Sequence, residues 1–364
     1  TTTVTTTTMY QCALVAVLAA VFAGGDGGVR AWSAPGHRII GRIATAMTSE
    51  RTQQAVVKQL GGVNWYERTK QYPMGVIAWA DTYSRLPGNS WSYPLHFAYT
   101  HGYPYLDYKR DCAVNCSRSM LREGYCEQGQ VLSDCCVIAA VDKYRQELFR
   151  ELVLGERNAT ADRGNTNSTM VKLALLGHTV GDMHQPLHVD LKDDYGGNTF
   201  KVKWFGEAMC GHDPYKKPCN IHKIFDFNVI NKRLDDFGSP PADYSDDDER
   251  EHKFANYLLA RYRPLAWTLM NMYNPTQWAV ESVSLASMSY LVNEGYDIES
   301  VYYDNVLPVL EQQLYKAGRR LAFLTQFLFS GKVTECAECR WWPPLCAPHD
   351  TAADAAAANA VKTT

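Results

Sequence analysis

No excess of charge of either sign is present in this chain: 36 Lys and Arg stand against 39 Asp and Glu, a formal net charge of −3 over 364 residues. So small a charge draws in no polyanion, and a phosphorylated ligand must be held by local cations. Long apolar runs are missing as well. The longest, Cys12–Ala23 (CALVAVLAAVFA), has the length of a signal-peptide core and falls short of the ~20 residues that a membrane-crossing helix needs. Charged residues make up 21% and hydrophobic ones 46%, a balance that excludes a disordered tail protein and a collagen-like fibre. Period-two alternation is scarce. Asn198–Phe205 (NTFKVKWF), entered through Gly196 and Gly197, is the one convincing strand signal and reads as a small β-hairpin or a bulged extension.

Residues 1–31 read as a signal peptide with an N-terminal extension. Val29-Arg30-Ala31 puts small residues at the −3 and −1 positions of a cleavage site before Trp32. The expected location is outside the cell or in the secretory lumen, with no stable membrane association and no obligate protein partner. Of eleven cysteines, Cys12 departs with the leader, and the even remainder reads as disulfides of an oxidising compartment. Cys210 and Cys219 are spaced to close a short loop, while the neighbours Cys135 and Cys136 are expected to bond to different partners. Asn115, Asn158 and Asn167 begin glycosylation triplets. Cys336, Cys339, Cys346 and His349 read as a zinc knuckle or, favoured by the compartment, as disulfides. They belong to a tail, residues 332–364, read as disordered.

What is abundant is helical periodicity. Ala34–Leu60, Met74–Tyr83, Cys135–Leu154, Thr169–Gln185, Ile221–Leu234, Glu249–Tyr273, Thr276–Val292 and Val306–Ser330 read as helices. The last carries one apolar stripe: Val309, Leu310, Leu314, Ala317, Leu321, Leu324 and Leu328. Asp235–Glu251, acidic and containing Pro240 and Pro241, reads as a solvated loop. The fold class is therefore mainly α, and the length leaves open one large helical domain over residues 32–331 or two ordinary ones.

The chemistry lies in histidines and aspartates at helix-face spacing. His178 and Asp182 are four apart, so both side chains point one way and can reach one ion; His222 and Asp226 repeat the geometry. His188 follows Pro186, which ends or bends the preceding helix and turns His188 back. His37, His96, His178, His188 and His222 all lie among apolar residues, where an imidazole needs a partner. His184 is expected on another face, in a supporting or surface role.

Six motifs in order (WSAPGH from Trp32, WADTYS around Asp81, PLHF around His96, HTVGDMHQPLH, GGN ending at Asn198, and IHKIFD) resemble the zinc-dependent single-strand-specific nucleases of the mung bean nuclease and 3'-nucleotidase/nuclease type. The resemblance covers roughly residues 32–330. It implies a mainly helical domain of the phospholipase C and single-strand nuclease type, holding three Zn2+ ions. Asp81, His96, His178 and Asp182 would hold one; His188, His222 and Asp226 a second; His37, Asp182 and the amino group and carbonyl of Trp32 the third. Asp81 and Asp182 would be catalytic. The resemblance further implies cleavage of P–O3' bonds in single-stranded DNA, RNA and 3'-nucleotides, with Phe97 stacking on a base and Asn198 beside the site. Tyr99 stands where relatives often carry an aspartate. A trinuclear-zinc phospholipase C shares the ligand logic, but the short Trp32–His37 spacing and the GGN turn favour the nuclease; a non-catalytic zinc-binding protein is disfavoured because every expected ligand is present.

Overall fold

Thr169–Met183 (TMVKLALLGHTVGDM) is apolar nearly all round, and a helix with no polar face belongs in the middle of a fold. It is buried without interruption from Val171 to Met183. Lys172 in that stretch is neutralised by Glu151, with Glu147 3.6 Å away. The computed structural model describes residues 32–60, 72–98, 100, 106–115, 129, 131–156, 169–190, 193–211, 216–239, 249–263, 272 and 274–330. The leader, the tail with its cysteines, Tyr99, Asn158 and Asn167 lie outside them.

The principal helices are α1 (Ala34–Ala46), α2 (Glu50–Gln59), α3 (Val137–Leu152), α4 (Thr169–Met183), α5 (Val229–Asp235), α6 (Glu249–Tyr262), α7 (Pro275–Ala286) and α8 (Ser300–Ser330). Single turns at Pro73–Trp79, Ala80–Tyr83, Ser90–His96 and Pro186–His188 connect them, and a π-helical segment, Ile224–Asn228, leads into α5. α3 lies along α4, while α1 is enclosed by α6, α8 and the Pro73–Trp79 turn. The protein is mainly α, as the periodicity implies.

Among the described residues there are three two-stranded sheets: β1 (Val114–Asn115) antiparallel to β2 (Val131–Leu132), β3 (Lys203–Trp204) parallel to β6 (Asp297–Ile298), and β4 (Met209–Cys210) antiparallel to β5 (Lys217–Pro218). The strand expected over Asn198–Phe205 is thus only two residues long and pairs with a distant segment rather than folding back on itself. The nearby antiparallel hairpin is β4–β5, closed by the expected Cys210–Cys219 disulfide. Cys136 pairs with Cys112, which ties the start of α3 to the β1 region.

Other expectations are corrected. The helix read over Ala34–Leu60 is broken at Met47–Ser49, where the Ser49 hydroxyl accepts the Thr52 N–H and so caps α2. The Ser49 N–H is itself taken by Gln326 Oε1 of α8, 3.0 Å away. α8 begins at Ser300, six residues earlier than expected, because Pro308 is exposed within it and Tyr302, Tyr303 and Val306 continue the buried stripe. The loop read over Asp235–Glu251 is helical at both ends. Glu251 is fully buried, gripped by the Arg38 guanidinium through Nε (2.9 Å) and Nη2 (2.7 Å), a charge-paired packing contact that acidic composition conceals.

A candidate metal centre

Glycines decide how close α4 comes to its neighbours. Gly177 and Gly181 are four apart and directly precede His178 and Asp182. A Cβ on Gly177 would sit 2.3 Å from Ile77 Cγ2, and one on Gly181 2.8 Å from His37 Nδ1. Their bare backbone lets the His37 ring stack on His178, with centroids 3.8 Å apart.

Among the described residues three groups of buried side chains result, each with ligand-capable atoms within 4.8 Å of one another: His37, His178 and Asp182; Asp81, His96 and His178; and His188, His222 and Asp226. Asp182 turns one oxygen to each side. Oδ1 lies 3.2 Å from His37 Nε2, and Oδ2 lies 2.9 Å from His96 Nδ1 and 3.4 Å from His178 Nε2. Asp81 Oδ1 is 3.6 Å from His178 Nε2. In the third group, Asp226 Oδ2 is 3.1 Å from His222 Nε2, and Oδ1 is 3.8 Å from His188 Nε2. The Pro186–His188 turn therefore returns His188 to the site.

Backbone carbonyls orient these rings. His178 Nδ1 donates to Ile77 O (2.8 Å), His188 Nδ1 to His96 O (2.7 Å) and His222 Nδ1 to Gly196 O (2.6 Å). Each bond fixes the tautomer whose Nε2 carries a lone pair toward the carboxylates, which is the arrangement of metal-binding histidines. His37 Nε2 and Asp182 Oδ1 approach closely without hydrogen-bond alignment, as expected of atoms converging on a common third point. The donor set, imidazole nitrogen with carboxylate oxygen, suits zinc and similar divalent metals.

Electrostatics agree. Burial pushes Asp182 well above the usual carboxylate range, with repulsion from Asp81 and Asp226 adding to it. Burial likewise lifts Asp226 to about 6 against the pull of His222. For Asp81 burial acts upward, but the hydrogen bond and charge of His178 outweigh it and hold the group low. Burial depresses His37 and His96. Carboxylates raised and imidazoles lowered are what a bound cation reverses and exploits.

A family profile described as S1/P1 Nuclease matches residues 32–330. The chain belongs to the S1/P1 nuclease family. Endonuclease 3 of Arabidopsis thaliana is 26% identical over 314 residues, spanning 84% of this chain and 91% of that protein. Nuclease S1 of Aspergillus oryzae is 25% identical over 307 residues, covering 80% of this chain and 89% of its own length. Nuclease P1 of Penicillium citrinum is 25% identical over 306 residues, with 80% and 95% covered. Membership makes this S1/P1 nuclease a phosphodiester-hydrolysing enzyme, and its three His/Asp groups are fit to bind metal ions.

Trp32 is fully buried; its Nε1 donates to Gly181 O (2.8 Å), and the next N–H, of Ser33, donates to Asp226 O (2.9 Å). The main chain at residue 32 thus runs beside both Asp182 and Asp226. Phe97 is only 6% exposed and meets Tyr93 edge-on. Asn198 donates to Tyr195 O within the glycine turn. Gly196 and Gly197, at φ of 63° and 80°, bring that turn against Leu187 O and Ile221, so that Gly196 O reaches His222. Asn115 lies in β1 opposite Val131.

His184 departs from expectation. It is fully buried, donating from Nδ1 to Val180 O and accepting at Nε2 from Arg320 Nη1 (2.7 Å), while Arg320 also grips Glu281. Burial, then Arg320, hold its pKa well below the ordinary imidazole value. It locks α4 to α7 and α8. Sequence reading also missed Gln185, whose signal was its place between the two motif halves, and the paired glycines of α4, whose signal was their four-residue spacing.

Proposed function

We propose that this S1/P1 nuclease is a secreted, zinc-dependent endonuclease and 3'-nucleotidase that hydrolyses P–O3' bonds of single-stranded DNA, RNA and 3'-nucleotides, leaving 5'-phosphate products or nucleosides. The observation that carries this reading is the convergence of three buried His/Asp groups, two of which share His178 and meet the two oxygens of Asp182. Asp81, His96, His178 and Asp182 would hold one zinc ion, His188, His222 and Asp226 a second, and His37, Asp182 and the Trp32 amino group and carbonyl the third. When bound, the ions supply Lewis acidity toward the phosphoryl oxygens and activate water.

The chain's own groups do the rest. Asp182, fully buried, faces two of the groups with its two oxygens and fixes their separation. Asp81, whose side chain is 13% exposed, turns Oδ1 toward His178, and its other oxygen would accept a hydrogen bond from the attacking water and orient it toward phosphorus. Phe97 offers a ring margin to the base, and Asn198 supplies a polar contact beside it. Stacked, paired bases present no face without unpairing, which selects single strands. Secretion is supported by the Cys112–Cys136 and Cys210–Cys219 disulfides; among the described residues no helix is long and apolar enough to cross a membrane.

The test is hydrolysis of denatured DNA, duplex DNA, a 3'-nucleotide and phosphatidylcholine by zinc-loaded protein. The first and third should be cleaved fastest. Preference for the lipid would refute the nuclease specificity.

A further inference from the structure

Gln185 is fully buried between the end of α4 and the Pro186–His188 turn, and its side chain makes two short bonds in opposite directions. Its Oε1 accepts the Leu187 N–H at 2.6 Å, and its Nε2 donates to Asp226 Oδ1 at 2.6 Å. The first bond fixes which end of the amide is oxygen, since a backbone N–H requires an acceptor. The nitrogen must then face Asp226. Oδ1 of Asp226 is thereby committed to Gln185, and Oδ2 is left toward His222 Nε2 at 3.1 Å.

The same side chain also holds the turn that delivers His188. One amide thus sets the rotamer of Asp226 and the position of His188, two of the three members of one group, although Asp226 lies 41 positions away in sequence. We infer that Gln185 is the positioning residue of the His188–His222–Asp226 group, making Asp226 a one-oxygen ligand through Oδ2 and giving this group its affinity for a metal ion. This inference rests on the metal reading above.

Two substitutions separate positioning from mere support. Gln185→Met removes both bonds. Gln185→Glu is nearly isosteric and keeps the acceptor for Leu187, but sets a carboxylate against Asp226 Oδ1. Zinc per chain is measured by atomic emission after equilibration of the full, zinc-loaded protein against a graded chelator, with circular dichroism to follow folding. The parent should hold three ions. Both variants should remain folded, keep two ions at parental affinity and bind one about 10- to 100-fold more weakly. Gln185→Glu behaving like the parent would overturn the inference, because the turn bond alone would then suffice. Loss of all three ions together in both variants would overturn it as well. A parent that retains no zinc refutes the metal reading itself, and the inference with it.

Discussion

Replacing Gly196 by Ala tests whether the glycine turn exists for space or only for backbone freedom. Its φ of 63° is left-handed, where a Cβ costs about 1–2 kcal/mol. The Cβ would also stand 2.1 Å from Leu187 O. Ordinary contact begins near 3.4 Å, so the two must part by about 1.3 Å. That oxygen belongs to the backbone next to His188 and has no rotamer to escape into. Overpacking of this kind adds about 1–3 kcal/mol, and the stiffer unfolded chain returns about 0.4–1 kcal/mol. The net loss is about 2–4 kcal/mol, or roughly 3–6 °C in Tm for a domain of this size. Separation also pulls Gly196 O from His222 or Leu187 from His188, so zinc should fall. The matched control is Gly206→Ala, with φ of 83° and no heavy atom within 4 Å of its Cβ; it should cost at most about 1 kcal/mol and no zinc. Thermal unfolding and zinc content of both variants decide the matter. Equal melting temperatures and full zinc in both would refute the argument.

Asp182→Asn should remove more zinc than Asp226→Asn, because Asp182 faces two of the groups and Asp226 only one; equal loss by metal analysis would count against the shared role. Adding one residue before a free Trp32 should lower zinc by one ion and abolish most activity, since Trp32 Nε1 and the Ser33 N–H pin that main chain beside Asp182 and Asp226; full activity of the extended form would disprove the ligand assignment. Phe97→Ala should slow hydrolysis of denatured DNA and 3'-nucleotides by roughly 10- to 100-fold, the value of about 1–3 kcal/mol of stacking, while sparing a phosphate ester that has no base. Uniform slowing across all substrates, with zinc loss, would show instead that the largely buried ring only supports His96.

Features set by local spacing were readable in the sequence. His178 with Asp182 and His222 with Asp226 follow from helical periodicity alone, and Pro186 announced the turn that returns His188. The α8 stripe was visible for the same reason, yet its start was placed at Val306 rather than Ser300, because exposed Val301, Asp304 and Asn305 dilute the apolar pattern of the first turns. Pro308 within it lies exposed, and its carbonyl accepts the Tyr262 hydroxyl. The break before α2 did have a local signal, Ser49 three residues before Thr52, masked by apolar residues on both sides. Long-range choices left no such trace. Nothing near Glu251 points to Arg38, nothing near His184 points to Arg320, and β3 finds its partner only after the chain has returned. The π-helical segment at Asp226 is likewise fixed by what packs around it, including the Ser33 N–H on its carbonyl.

The packing of α1 against α8 sets an order on biosynthesis. Ile43 of α1 fits where Gly318 has no side chain, with a Cβ there reaching within 2.5 Å of Ile43 Cγ2. These partners lie near opposite ends of the polypeptide, so the helix bearing His37 is made first and seated last. At ribosomal speeds of about 5–20 residues per second, the delay is on the order of 15–60 s. The His37, His178 and Asp182 group therefore reaches its final packing only after α8 has emerged, and a chain cut short before Gly318 leaves α1 without that seat.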